Sequence, residues 1–440
     1  MTVGYRAARV LTGRDGQVLR DGEVLVSGER IEAVRPGTTD PPYPVVDFGD
    51  ATIVPGIIDA HVHLTMPADG RDYAAMHRDP DELLALVAAA NLRRLAAAGI
   101  TTVRDNGGRN TVMFAVRDGV RRGYLAGPRL LLAGRPITPS LGHFHFCHGE
   151  ADGADAIRAA VRRLVAQGAD HIKLMASGGG TPGSRPDRVT YTVAELRVAV
   201  DAAHALGVPT TAHCRSTQSI RNAVEAGVDC VEHADFLADG RGGAIDYDLA
   251  LVEQMLSAGV FVSMTLQAGG AERMQRFRTA DGPLPPAEQA EYDGLRRYFD
   301  AKLDVVRRLL ADGYAGRMAI SSDAGPGDTE FARTDLWLRL AAEAGMPAVA
   351  AIEAFTRIPA ELLGLDDAVG TLAAGKVADL VVVAGDPLLD PDAICHPVAV
   401  LRSGRRADSP RDGTPGVPLR RVERDLCASD RTRPERSRHV

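Results

Sequence analysis

Lysine is almost missing from this chain: of 51 basic residues in 440, only Lys173, Lys302 and Lys376 are lysine, and the rest are arginine. A lysine that survives in such a sequence needs a chemical reason. Cysteine is scarce too, with five residues at 147, 214, 230, 395 and 427. An odd number without a CxxC pair argues against a disulfide framework and predicts reduced, mostly buried thiols. No run of about 20 apolar residues occurs, and MTVGYRAARVLTGRDGQ has no apolar core ahead of its first charges, so export and membrane spanning are not expected and the cytoplasm is. The net charge of −7 lacks the basic excess of phosphate-backbone binders, which points away from nucleic acid and toward a small-molecule substrate. What is present is ordinary globular composition, 45% hydrophobic and 25% charged, enough for a large core.

The two ends of the chain read alike. ARVLTG and EVLVSGERIEAVRPG near the N-terminus, and TLAAGKVADLVVVAGDP and HPVAVLRSG after residue 371, are short strands broken by turns. Neither set has enough core alone, so residues 1–54 and 371–408 are expected to form one small β-sandwich. Between them the rhythm changes to short apolar runs followed by Ala-, Leu-, Arg- and Glu-rich helical stretches. The runs are IIDAHVHL, GITTVRDN, RLLLAG, HIKLMAS, VPTTAH, VDCVEH, VFVSMT and MAISSDAG. The helices fall near 81–98, 110–122, 152–167, 193–206, 217–226, 247–258, 286–311 and 331–344. Eight β-then-α units predict an α/β fold with a (β/α)8 TIM barrel over 55–370. Residues 409–440, rich in Arg, Pro and Asp, are expected to be a flexible tail.

The first run carries Asp59, His61 and His63 at alternate positions, which in a strand share one face. In a barrel that face is the interior, and strand C-termini are where such folds place their chemistry. His213 ends the fifth run, His233 the sixth and Asp323 lies at the end of the eighth, so four imidazoles and a carboxylate converge on one rim. That set suits zinc or another first-row divalent ion. Lys173 lies inside the fourth run between Ile172 and Leu174, where a protonated amine buries a charge and repels bound cations. A neutral amine can add carbon dioxide to become a carbamate that bridges two metals, which arginine cannot do; the alternative is a lysine that snorkels or pairs with Asp170 or Glu195. His171 shares the inward parity of Lys173 and is expected to pack low in the barrel. His204 on a helix and His77, His396 and His439 in loop or tail contexts are read as ordinary histidines, and Cys214 and Cys230 as core thiols.

VPGIIDAHVH, HIKLMASGG, TAHC, VEHADF and SSDAG together resemble the amidohydrolase superfamily in its binuclear type with a carboxylated lysine, over about residues 1–405. ITPSLGH and the glycines after the lysine strand are most similar to the imidazolonepropionase-related, prolidase-like branch. The resemblance implies a sandwich built from both chain ends. It also implies that His61, His63 and Asp323 hold a more buried metal, that His213 and His233 hold a second, and that carboxylated Lys173 bridges them. Asp323 would be the general base and acid, and His143 would hydrogen-bond the substrate's carbonyl oxygen or carboxylate. The activity implied is hydrolysis of an amide or peptide-like C–N bond in an N-acyl amino acid or dipeptide. Alternatives are a cyclic-amide hydrolase or deaminase on the same scaffold, and a non-catalytic binding barrel.

The chain also departs from that pattern. SLGHFHFCHGE replaces the usual Gly-Gly-His-Gly, adding Phe144, His145, Phe146 and His148; Ala234 stands where a glycine commonly follows the histidine; SSDAG replaces GTDAG. His145 is a candidate substrate contact on this ground. Segments 64–80, 134–150, 177–192 and 265–300 are expected to shape substrate entry, with Arg273, Arg276 and Arg278 as candidate carboxylate binders. SGGGTPG lacks the GxxxxGK[ST] pattern of a phosphate loop and is read as giving space around the metals. A homo-oligomer is left open.

Overall fold

The apolar stretch around Val54 is two strands, broken at Gly56. A Cβ at residue 56 would lie 2.2 Å from Thr101 Oγ1, so only glycine lets the chain cross there from one sheet to the next. In the computed structural model, which describes residues 2–72, 78–240 and 243–406, Ala51–Pro55 pairs parallel with Thr2–Leu11 and antiparallel with Leu380–Ala384. Both ends of the chain thereby meet in one mixed eight-stranded sheet, with a core around Val10, Val24, Ile53, Leu380 and Val382. The expected tail, His77, His439 and Cys427 lie outside the described residues, as does part of the 64–80 segment.

Beyond Gly56, eight parallel strands follow: β1 Ile57–Val62, β2 Ile100–Asp105, β3 Arg129–Leu132, β4 Ile172–Met175, β5 Thr210–Ser216, β6 Cys230–Leu237, β7 Phe261–Thr265 and β8 Met318–Ser321. β1–β3 form one sheet and β4–β8 another. Single parallel bridges, Ile137 to Leu174 and Val62 to Ala324, join the two at both margins. The arrangement is a TIM-barrel-like α/β fold. Strands β1, β2, β4 and β8 are buried along their whole length, as expected when helices cover a parallel sheet, and so their polar residues are enclosed by protein.

Helices stand between the strands at α1 Asp81–Ala97, α2 Val112–Arg121, α3 Gly153–Ala166, α4 Val193–His204, α5 Thr217–Ala226 and α6 Leu249–Ser257. α4 starts at a capping box in which Thr192 and Glu195 satisfy each other's backbone donors. After β7 comes a helix the sequence pattern did not predict, α7 Ala271–Arg278, followed by α8 Pro286–Ala311. α7 follows Gly269 and Gly270, with φ of +103° and +105°. The expected helix at 331–344 is shorter, α9 Thr334–Glu343.

The start of α7 carries a buried carboxyl. Glu272 Oε1 accepts hydrogen bonds from Gln267 Nε2 at 2.5 Å and Glu330 N at 2.8 Å, while Oε2 has no partner among the described residues. Burial raises its pKa from the ordinary 4.5 to about 7. Between those values the folded chain holds a proton that the unfolded chain has released. This contribution to stability is therefore greatest below pH 4.5 and is lost as pH rises through about 7. Glu272→Gln is expected to remove a pH-dependent loss on the order of 1–3 kcal/mol. Thermal unfolding at pH 5 and pH 8 checks it: the wild-type midpoint should fall more between the two than that of the variant.

Candidate active site

Every expected ligand position reaches one cavity of about 230 Å³: His61, His63, Lys173, His213, His233 and Asp323 all line it. β1 delivers His61, and His63 stands just past its end. His213 lies within β5 and His233 within β6, and Asp323 follows β8. The polypeptide bends sharply to present the last two, since His233 has φ +66° and Asp323 has φ +58°. Left-handed backbone at non-glycine residues costs about 1–3 kcal/mol each and is found where a site needs an unusual direction. Ala234, at the position where the resemblance places glycine, is also left-handed at φ +50°.

Hydrogen bonds on the outer side of each ring assign its protons. His61 gives Nδ1–H to Glu232 Oε2 at 2.7 Å, and burial lowers its pKa to about 4, so the ring is neutral and Nε2 is bare. His63 Nδ1 donates to the carbonyl of Gly107 at 2.8 Å. Both Nε2 atoms then face Asp323 Oδ1, each at 3.3 Å. Burial alone would raise the Asp323 pKa, but His61, His63 and Lys173, when they carry their protons, outweigh it and hold the carboxyl at about 2. His213 Nε2 donates to Gly178 O at 3.0 Å, leaving Nδ1 to face His233 Nε2 at 2.8 Å. Burial pushes both of these imidazoles well below their ordinary pKa. Lone pairs thus converge with few protons among them, the electrostatic signature of a cation site. One ligand atom each from His61, His233 and Asp323 falls within a common 4.8 Å.

Lys173 is fully buried, its amine pushed down by desolvation, and Nζ has no hydrogen-bond partner among the described residues. The two carboxylates that the sequence offered as partners are engaged elsewhere, Asp170 accepting from Arg117 at 2.6 Å and Glu195 closing the cap of α4, and the carboxylates that act on the amine are Glu232 and Asp323. An orphaned buried amine beside metal-type ligands fits a carbamate, whose oxygens would have partners there.

His143 lies 4.6 Å, ring to ring, from His213. Its Nδ1 meets Thr181 Oγ1 at 2.8 Å and accepts the Thr181 N–H at 3.4 Å, which leaves the ring proton on Nε2. Burial lowers its pKa to about 3, so it donates a hydrogen bond as a neutral ring. The glycine-rich loop has a definite task here, because a Cβ at Gly179 would lie 2.4 Å from His143 Nε2. Phe144 packs 4.6 Å from His63 and 5.1 Å from Phe146, making the inserted aromatics one wall of the site.

Other expectations fare differently. His145 begins a single 3-10 turn between left-handed Phe144 and His148 and is not among the residues lining the cavity; nor are Arg276 and Arg278, the latter paired with Glu343 at 2.6 Å. Arg273 does line it. His171 is buried against Asn106 at 3.0 Å.

Several residues escaped the sequence reading. Glu232, fully buried, accepts from Arg104 Nη2 at 2.6 Å as well as from His61 and Thr211. Arg104 also donates to Ala60 O at 2.7 Å. Asp105 accepts Leu64 N and Gly107 N, fixing the carbonyl that holds His63. Asp59, whose place on the face of His61 and His63 the sequence did show, accepts Ser322 Oγ at 2.6 Å and ties β1 to the turn bearing Asp323. Such outer partners orient metal-ligating rings. Arg215 and Asp235, at the same parity as His213 and His233, also line the cavity, and that parity was the available signal.

The model of the amidohydrolase family matches residues 52–408. The chain belongs to the amidohydrolase family. Ochratoxinase of Aspergillus niger is 26% identical, over 89% of this chain and 83% of that protein. Imidazolonepropionase of Mesorhizobium japonicum is 27% identical, over 86% and 91%. A solved prolidase complexed with N-methylphosphonate-L-proline superposes with a TM-score of 0.77 at 26% identity, covering 92% of this chain and 99% of its own. This amidohydrolase is accordingly a hydrolase acting on carbon–nitrogen bonds. Among the described residues no helix is long and apolar enough to cross a membrane.

Proposed function

We propose that this amidohydrolase cleaves an amide or peptide-like bond in a small N-acyl amino acid or dipeptide, using two divalent ions, with zinc the ion its imidazoles and carboxylates suit. The observation that carries the reading is the convergence of His61, His63, His213, His233 and Asp323 around the orphaned amine of Lys173. In this reading His61, His63 and Asp323 would hold one ion and His213 and His233 the other, with carboxylated Lys173 as their shared ligand. The eight strands close as a (β/α)8 barrel over 55–370, flanked by a sandwich of 1–54 and 371–408. Bound ions of this kind acidify a water and polarise a carbonyl.

The protein's own groups do the rest. Asp323, ionised and beside both His61 and His63, accepts the water's proton and returns it to the leaving amine. His143 Nε2–H donates to the substrate's carbonyl oxygen as negative charge develops there. Phe144 shields one side from bulk water.

Elemental analysis of protein purified without chelator tests the reading, together with ninhydrin assay of N-acyl amino acids and dipeptides. About two metals per chain and release of a free amine are expected. One metal or none after reloading with metal and bicarbonate, or ammonia as the product, would sink it. Lys173→Ala should lose the second metal preferentially, lowering the stoichiometry to about one. Two tightly held metals in that variant would remove the bridging role.

A further inference from the structure

We propose that Arg215 is the receptor for the substrate's α-carboxylate, so that this enzyme selects substrates with a free acid next to the scissile amide; the proposal rests on the hydrolase reading above. Among the described residues four cationic side chains besides the imidazoles line the cavity, and three are otherwise engaged. Lys173 belongs to the ligand cluster. Lys302 donates to the carbonyls of Thr265 and, at 3.0 Å, Ala268. Arg273, on the rim, bonds to Glu291 at 3.0 Å and Asp328 at 2.9 Å.

Arg215 is held differently. Nε donates to Asp235 Oδ2 at 2.5 Å and Nη2 to Tyr298 Oη at 3.3 Å, which fixes the plane of the guanidinium from β6 and α8 together. Nη1 has no hydrogen bond among the described residues, so the Nη1–Nη2 edge remains for a second carboxylate in the bidentate geometry arginine favours. A Cβ at Gly269 would lie 2.5 Å from the Tyr298 ring, so glycine there gives the clamp its room.

Position supports the same assignment. Arg215 lies two residues beyond His213 on β5, and both side chains line the same cavity. A substrate whose carbonyl sits at the histidine cluster therefore shares its cavity with the guanidinium of Arg215.

The test uses a pair of non-hydrolysable probes, an N-alkyl amino acid with a methylene in place of the acyl carbonyl, as the free acid and as its primary amide. Calorimetry on the metal-loaded wild type is expected to show the acid binding about 10- to 100-fold tighter than the amide. In Arg215→Met that preference should fall to about threefold or less, chiefly through weaker binding of the acid. Arg215→Lys, which keeps the charge opposite Asp235 and guards against misfolding of the Met variant, should retain only part of the preference. Equal binding of acid and amide by wild type, or a preference that survives in Arg215→Met or stays whole in Arg215→Lys, would overturn the proposal. Acid preference that depends on Arg215, without hydrolysis of any N-acyl amino acid or dipeptide, would instead leave the anion site standing and overturn the hydrolase reading. Hydrolysis indifferent to the free acid would do the reverse.

Discussion

Replacing Asp323 by asparagine is expected to lower kcat about 10³-fold while leaving the fold and most of the bound metal in place. Asparagine keeps the shape and one oxygen at the point where His61 and His63 Nε2 both approach to 3.3 Å. It cannot take a proton from water. The wild-type carboxylate has the free lone pairs for that task, and it sits beside both His61 and His63. The measurement is turnover of an N-acyl amino acid by the variant, with metal content and circular dichroism on the same sample. Turnover within tenfold of wild type, at equal metal content, would assign the base elsewhere. Loss of metal in step with activity would make Asp323 a ligand first and a base second.

Arg104→Met is expected to cost about 3–5 kcal/mol of stability. Glu232 is fully buried, and burial alone would raise its pKa, yet Arg104 first, then His61 and Lys173, hold it well below its ordinary value. Removing the guanidinium strands a carboxylate in the barrel interior with His61 Nδ1 and Thr211 as its remaining strong partners. Adding Glu232→Gln to Arg104→Met should recover part of the loss, because the double variant no longer buries an unpaired charge. Denaturant unfolding of the four members of this cycle gives the coupling. The same variants should bind metal about 10- to 100-fold more weakly, since Glu232 fixes the tautomer that bares His61 Nε2. A single Arg104→Met variant as stable as wild type would show that the ion pair contributes no net stability.

These two predictions separate what could be read in advance from what could not. The convergence of the candidate side chains on one cavity was legible because parallel barrel strands have a period of 2 and a fixed functional end. Histidines at 61, 63, 213 and 233, and Asp323 after the eighth run, share a rim by chain direction alone. The surviving Lys173 was legible from composition, and the pairing of the chain ends from the thinness of each. Glu232 was hidden by the same rule, since strict alternation would turn it away from His233. The left-handed backbone at His233 and Ala234 breaks the alternation and lets both neighbours serve the site.

Composition, run spacing and strand parity therefore determined the fold class, the rim and the six converging side chains. Tertiary structure decided what surrounds them. Tyr298 reaches Arg215 from a helix 83 residues further along the chain, and Arg104 reaches Glu232 across 128. His145 is not among the residues lining the cavity, while His143, two residues earlier, lines it with Thr181 at its Nδ1. The physical reason is the range of the forces involved. Periodicity is a local property of the backbone, whereas the protonation of a buried ring and the aim of a guanidinium depend on partners that only the closed fold brings within about 3 Å.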